Sequence, residues 1–198
     1  MLLIIPIISY LLGSIPFGFI LAYGVKRIDI RKCGSGNIGA TNVARVVGKK
    51  WGLLVFAFDF LKGLLPIVLL YFIFSSSSLF IYILTAFGAI AGHNWSIFLK
   101  FKGGKGVATS IGAVTGLCFK YRLLFFPLLG GLGAWVIIFM IFRIVSLASL
   151  SASFVFFILS LFFLENNFKL VAFLIFLFIL IRHRENISNL LHKKELPI

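Results

Sequence analysis

The chain of 198 residues is 61% hydrophobic and only 12% charged, far from the balance of an ordinary soluble domain, and several apolar runs reach the roughly 20 residues that a helix needs to cross a bilayer. Its net charge is +14, but the 19 Lys and Arg residues fall between apolar runs rather than along an amphipathic face, which argues against a nucleic-acid surface and for membrane topology. Cys33 and Cys118 lie in unrelated contexts, so neither a zinc site nor a disulfide framework is indicated. The composition predicts an all-α, polytopic membrane bundle of about seven transmembrane helices, forming a single domain over residues 1–198.

The first predicted span is Leu2–Val25, interrupted by Pro6, Gly13, Pro16 and Gly18; transmembrane helices tolerate such breaks where neighbours satisfy the freed backbone groups. No basic n-region precedes it, so it is expected to stay in the mature chain. A polar loop, Lys26–Lys50, follows. The second span, Trp51–Phe74, contains Asp59 and Lys62, three residues apart and therefore on one face, where opposite charges can neutralise each other; the competing reading makes Lys62 part of an anion site. The third span, Leu79–Leu99, carries His93 and Asn94 near its end.

After a lysine- and glycine-bearing loop comes Val107–Phe119, too short for an upright crossing, so it extends through the loop, tilts or stops part-way. Tyr121 and Arg122 lead into a fifth span ending near Phe142; Ile144–Leu164 and Phe168–Ile181 give the sixth and seventh, and Arg182–Ile198 is a polar tail. The odd-numbered loops and the tail hold fifteen Lys or Arg against three in the even-numbered loops. By the positive-inside rule the N-terminus lies outside and the C-terminus in the cytoplasm.

Three polar segments fall on the cytoplasmic face of that topology. Gly34–Arg45, GSGNIGATNVAR, satisfies Gly-x-Gly-x-x-Gly but lacks the preceding strand of a dinucleotide fold. It reads either as a plain glycine-rich connection with a topogenic arginine or as an anion loop with Ser35, Asn37, Thr41 and Asn42 as donors and Arg45 as the charge. Gly103–Gly106, with Lys105 inside it, is not a Walker loop, yet it opens a helix and so offers backbone N–H groups and a positive dipole end to phosphate. In His183–Glu195 a helical turn would put His183 and Asn186 together as base and donor; His192 reads as solvated surface. Ser146 and Ser149, beside Arg143, add hydroxyls on the same side.

In this order, GSGNIGATNVAR, GHNWSIFLKFKGGKGVAT and HRENI resemble the three motifs of the acyl-phosphate-dependent glycerol-3-phosphate acyltransferases of bacteria, the PlsY family; DFLKG and RIVSLAS resemble further recurrent stretches of it. The tail departs from that pattern at Asn189 and Lys193. The resemblance implies acyl transfer from a long-chain acyl phosphate to the 1-hydroxyl of glycerol 3-phosphate, giving lysophosphatidic acid and phosphate, the first acylation of bacterial phospholipid synthesis.

With it come expected roles. Arg45 and Lys105 clamp phosphate, and Gly103, Gly104, Gly106, Asn37, Asn42 and His93 line the phosphate site. His183, held by Asn186, serves as base, with Ser35 and Ser146 as donors; alternatively a substrate phosphate takes the proton. The expected setting is a multi-pass protein of the bacterial cytoplasmic membrane, its active site facing the cytoplasm, its partners the two substrates and membrane lipid. No cofactor, metal, nucleic acid or obligate protein partner is expected. The competing class is a transporter or channel for a phosphorylated metabolite, which would place ionisable residues near the bilayer midplane rather than at helix ends.

Overall fold

A computed structural model describes residues 3–195. The chain divides into two compact units, Met1–Phe119 and Lys120–Ile198. In the first, α1 (Ile4–Ser14) and α2 (Phe17–Lys26) make one broken span, α3 (Ala40–Val46) lies within the first polar loop, and α4 (Lys49–Ile73), α5 (Leu79–Asn94) and α6 (Val107–Cys118) follow. In the second, α7 (Phe125–Phe142), α8 (Val145–Phe163) and α9 (Asn166–Arg182) are succeeded by the short α10 (Arg184–Leu191). The seven apolar segments of the sequence are thus all helical. Among the described residues, five helical runs are long and apolar enough to cross a membrane, Ile4–Lys26, Lys49–Ile73, Leu79–Leu99, Arg122–Phe142 and Val145–Phe163. The protein is therefore an all-helical, multi-pass integral membrane protein.

Small residues bring the helices of the first unit together. α1 packs on α5, and α4 on α6. A Cβ added at Gly92 would overlap the Tyr10 carbonyl, and one at Gly112 the Phe60 carbonyl, so at these crossings backbone meets backbone, the packing mode that lipid-embedded helices favour. Polar side chains stitch the α1–α5 seam: Ser9 Oγ donates to the Thr85 carbonyl at 2.7 Å and the Tyr10 hydroxyl to the Trp95 carbonyl at 2.8 Å. α6 has only 12 residues, but its face bearing Thr109, Ser110, Ala113, Val114 and Leu117 is buried; protein contacts account for its small, mixed composition.

In the second unit α8 packs between α7 and α9. Two of its serines hydrogen-bond within the unit. Ser160 Oγ returns to the Phe156 carbonyl at 2.7 Å, and Ser149 Oγ accepts from Trp135 Nε1 at 3.3 Å. Large apolar side chains such as Leu53, Leu69, Phe72, Ile137, Met140 and Phe162 stay more than half exposed, a surface that water would penalise and lipid accepts.

Candidate active site

The first loop is built around one asparagine. α2 ends at Arg27 in the left-handed region, and Asp29 caps a single helical turn at Ile30–Lys32, accepting from the Arg31 amide at 3.0 Å. The Arg31 guanidinium also grips both carboxylate oxygens, at 2.9 and 2.7 Å, and this hydrogen bonding holds the Asp29 carboxyl down to about 2. Gly34 and Gly36 then take φ of +58° and +70°, which reverses the chain onto Asn42. That side chain, 1% exposed, accepts from the Ser35 amide at 3.0 Å and donates toward the carbonyls of Cys33 at 3.0 Å and Asn37 at 2.8 Å. Asn37 Oδ1 accepts from the Gly39 amide at 3.1 Å. Both asparagines therefore shape the loop backbone, while Ser35 and, on α3, Arg45 stand exposed.

The glycine loop is fastened to the end of α5. The Gly103 amide donates to the Asn94 carbonyl at 3.2 Å and the Gly104 amide to the His93 carbonyl at 2.9 Å. A buried helix end has carbonyls in need of donors, and here the loop supplies them. Two amides that the sequence reading offers to phosphate are thus engaged by the protein. Gly106, at φ +79°, is the N-cap of α6, and its carbonyl accepts from the Ser110 amide at 2.7 Å. Lys105, half-buried, sits immediately before that helix start. Gly104 lies against the His93 ring and Gly106 against the Asn94 amide, leaving no room for a side chain at either.

Between the first loop and the glycine loop, within the same unit, lies a cavity of ≈ 400 Å³ lined by Arg31, Lys32, Gly36, Ile38, Lys102 and Gly103. Asp29 offsets Arg31, so Lys32 and Lys102 supply its net positive charge. On α4, Asp59 and Lys62 form a buried ion pair at 2.8 Å, as their spacing predicts. Lys62 also donates to the Ile15 carbonyl at 2.9 Å, at the break between α1 and α2.

The second unit holds the remaining candidates. His183 is 2% exposed at the junction of α9 and α10, with Nδ1 2.7 Å from the Ile179 carbonyl. A carbonyl can only accept, so Nδ1 carries the proton and Nε2 the lone pair of the neutral ring. Glu195 Oε1 accepts from Ser146 Oγ at 2.8 Å and from Asn186 Nδ2 at 2.5 Å, joining α8 to α10. Sequence reasoning missed this carboxylate as a partner, although its segment ended on it. His192 is exposed, as expected. Among the described residues no cluster of three or more His, Cys, Asp or Glu suits a metal ion.

A family model described as glycerol-3-phosphate acyltransferase matches residues 3–193. The chain belongs to the glycerol-3-phosphate acyltransferase family. It is 42% identical to the glycerol-3-phosphate acyltransferase of Aquifex aeolicus (strain VF5), over 98% of this chain and 97% of that one. With the enzyme of Wolbachia pipientis subsp. Culex pipiens (strain wPip) the identity is 43%, over 97% and 96%. Among solved structures, the fold matches the crystal structure of PlsY (YgiH), an integral membrane glycerol 3-phosphate acyltransferase, in its glycerol 3-phosphate form, with a TM-score of 0.88, 40% identity and coverage of 100% of this chain and 95% of that one. The lysophosphatidic acid form of PlsY matches with a TM-score of 0.85 at 39% identity, with the same coverage.

Proposed function

We propose that the chain transfers a fatty acyl group from a long-chain acyl phosphate to the 1-hydroxyl of glycerol 3-phosphate, releasing lysophosphatidic acid and phosphate. The observation that carries this reading is the basic cavity shared by the first loop and the glycine loop. Two phosphorylated substrates need cations and backbone on more than one segment, and this unit supplies both. The related crystal structures are glycerol 3-phosphate and lysophosphatidic acid forms, the acceptor and the product of the same reaction.

Arg45 and Lys105 are the phosphate clamps of this mechanism, assisted by Ser35 and by the amides and positive dipole end at the start of α6. Asn37 and Asn42 act one step back, by fixing the first loop; Gly103, Gly104 and Gly106 let the second loop lie on His93 and Asn94. His183 Nε2 takes the proton of the 1-hydroxyl as its oxygen bonds to the acyl carbon. The bond from that carbon to the phosphate oxygen breaks, and phosphate leaves with the electron pair. Asn186 and Ser146, oriented by Glu195, complete the catalytic group. Acyl phosphate is already a mixed anhydride, so positioning and charge stabilisation suffice without a covalent acyl-enzyme.

The same reading sets the topology. Seven membrane-embedded segments, with the N-terminus outside, put the basic loops and the active site on the cytoplasmic side of a bacterial cytoplasmic membrane, where both substrates are met, the acyl chain lying among helices and membrane lipid. The acyltransferase is then a single domain over 1–198. Purified protein supplied with labelled glycerol 3-phosphate and acyl phosphate tests the proposal: labelled lysophosphatidic acid is expected, and folded protein that makes none refutes it.

A further inference from the structure

We infer that Asp59, remote from the basic loops in sequence, is a positioning residue of the acyltransferase, acting through the imidazole of His93 on the glycine loop that carries Lys105. The inference rests on the assignment of that loop to substrate phosphate.

Asp59 Oδ1 faces two nitrogens, Lys62 Nζ at 2.8 Å and His93 Nδ1 at 3.5 Å. All three residues are at most 6% exposed. Lys62 by itself neutralises the carboxylate, so charge balance does not call for the histidine. What the carboxylate does for His93 is set its ring. An anionic oxygen opposite Nδ1 favours the tautomer with the proton on that nitrogen and leaves Nε2 at the other edge as an acceptor. That other edge is where the loop lies: a Cβ on Gly104 would overlap Nε2, with Cδ2 only 3.1 Å away.

His93 thus holds Gly104 twice. Its ring is packed under the glycine, and its carbonyl accepts the glycine amide at 2.9 Å. Lys105 is the next residue, so the ring plane fixes where its backbone starts. The carboxylate cannot simply follow a turning ring, because Lys62 anchors it and is itself bonded to the Ile15 carbonyl at 2.9 Å. The result is a line of contacts from the break between α1 and α2, through Lys62 and Asp59, to His93 at charge-contact distance and on to the loop. A positioning group of this kind acts on geometry, and misplacement of a substrate-holding segment by about 1 Å is worth up to roughly a hundredfold in rate.

The test uses full-length enzyme in detergent with four variants: Asp59→Asn, His93→Gln, their double, and Asp59→Asn/Lys62→Met. Asparagine keeps the shape but removes the negative charge that both nitrogens face; it leaves Lys62 without its counter-charge, which the Asp59→Asn/Lys62→Met variant avoids. The expected result is a fall in kcat/KM of about ten- to a hundredfold, carried more by a rise in KM for the phosphorylated substrates than by a fall in kcat. Because the two residues act in series, the Asp59→Asn/His93→Gln double should be no worse than the more severe single. The 15N shifts of labelled histidine, assigned with His93→Gln, should report protonated Nδ1 for His93 in the wild type and lose that state in Asp59→Asn.

If Asp59→Asn alone does not fold, Asp59→Asn/Lys62→Met, which buries no lone charge, must show the same KM rise and tautomer change. Wild-type kinetics in a folded Asp59 variant, additive effects in the double, or an unchanged His93 tautomer would each overturn the inference. Failure of the wild type to make lysophosphatidic acid would instead sink the functional reading, and the tautomer measurement would still decide whether Asp59 sets the ring.

Discussion

Replacing Lys62 by methionine isolates the energetics of the buried ion pair on α4. In the wild type the ammonium and carboxylate are 2.8 Å apart with side chains 4% exposed. At an effective dielectric of about 20 the attraction is about 6 kcal/mol, and removing one partner of a buried pair has a net cost of about 3–5 kcal/mol, because the remaining charge stays desolvated. The hydrogen bond to the Ile15 carbonyl adds about 1 kcal/mol. For a chain of this length, where 1 kcal/mol moves the melting midpoint by about 2–4 °C, Lys62→Met should therefore melt roughly 10–20 °C lower. Asp59→Asn/Lys62→Met leaves no uncompensated charge and should recover most of that loss. The assay is thermal unfolding of the three proteins side by side in one detergent. If the single and double variants melt together, the lost stability is packing rather than charge, and the reasoning fails.

Four further outcomes are expected. Gly104→Ala forces a methyl into the His93 ring and should lower kcat/KM about a hundredfold in folded protein; steady-state kinetics in the wild-type range would show that the loop can move aside. Arg45→Ala and Lys105→Ala should each nearly abolish turnover, measured as labelled lysophosphatidic acid formed, and retained wild-type kinetics in either would refute its assignment as a clamp. His183→Gln should reduce kcat by about 10²–10⁴ and remove the acidic limb of the pH–rate profile; a raised KM with an unchanged profile would transfer the base role to a substrate phosphate. Asp29 has a carboxyl lowered to about 2 in the folded loop, so its hold on Arg31 is complete above the unfolded value near 4 and is lost as pH falls toward 2; a carboxyl resonance titrating near 4 would show that this contact does not persist.

The helical, multi-pass character was legible because apolar runs of bilayer length leave little choice of structure, whereas of the seven spans expected five are long and apolar enough to cross among the described residues. Even the kink between α1 and α2 was announced by Pro16. The short helices α3 and α10 were not, since seven or eight residues of mixed polarity carry too weak a pattern to separate helix from loop. At the site, residue types were readable and partners were not. Asn42 looks in sequence like an outward donor among glycines, yet its amide is buried and engaged by backbone groups up to twelve residues away. Gly103 and Gly104 look like free phosphate amides until α5 is seen to end beneath them. Asp59 was readable as the partner of Lys62 at helical spacing, whereas its contact with His93 joins two helices and is a matter of tertiary packing. Glu195 likewise meets Ser146 across 49 residues.

The acyl donor decides the chemistry. Purified enzyme should be given labelled glycerol 3-phosphate with acyl phosphate in one reaction and acyl-coenzyme A in another, and both lysophosphatidic acid and released phosphate should be counted. Product is expected from acyl phosphate alone, with one phosphate released for each lysophosphatidic acid. Product from the thioester instead would keep an acyltransferase but contradict the proposed chemistry, and no product from either donor, in folded protein, would contradict the acyltransferase itself.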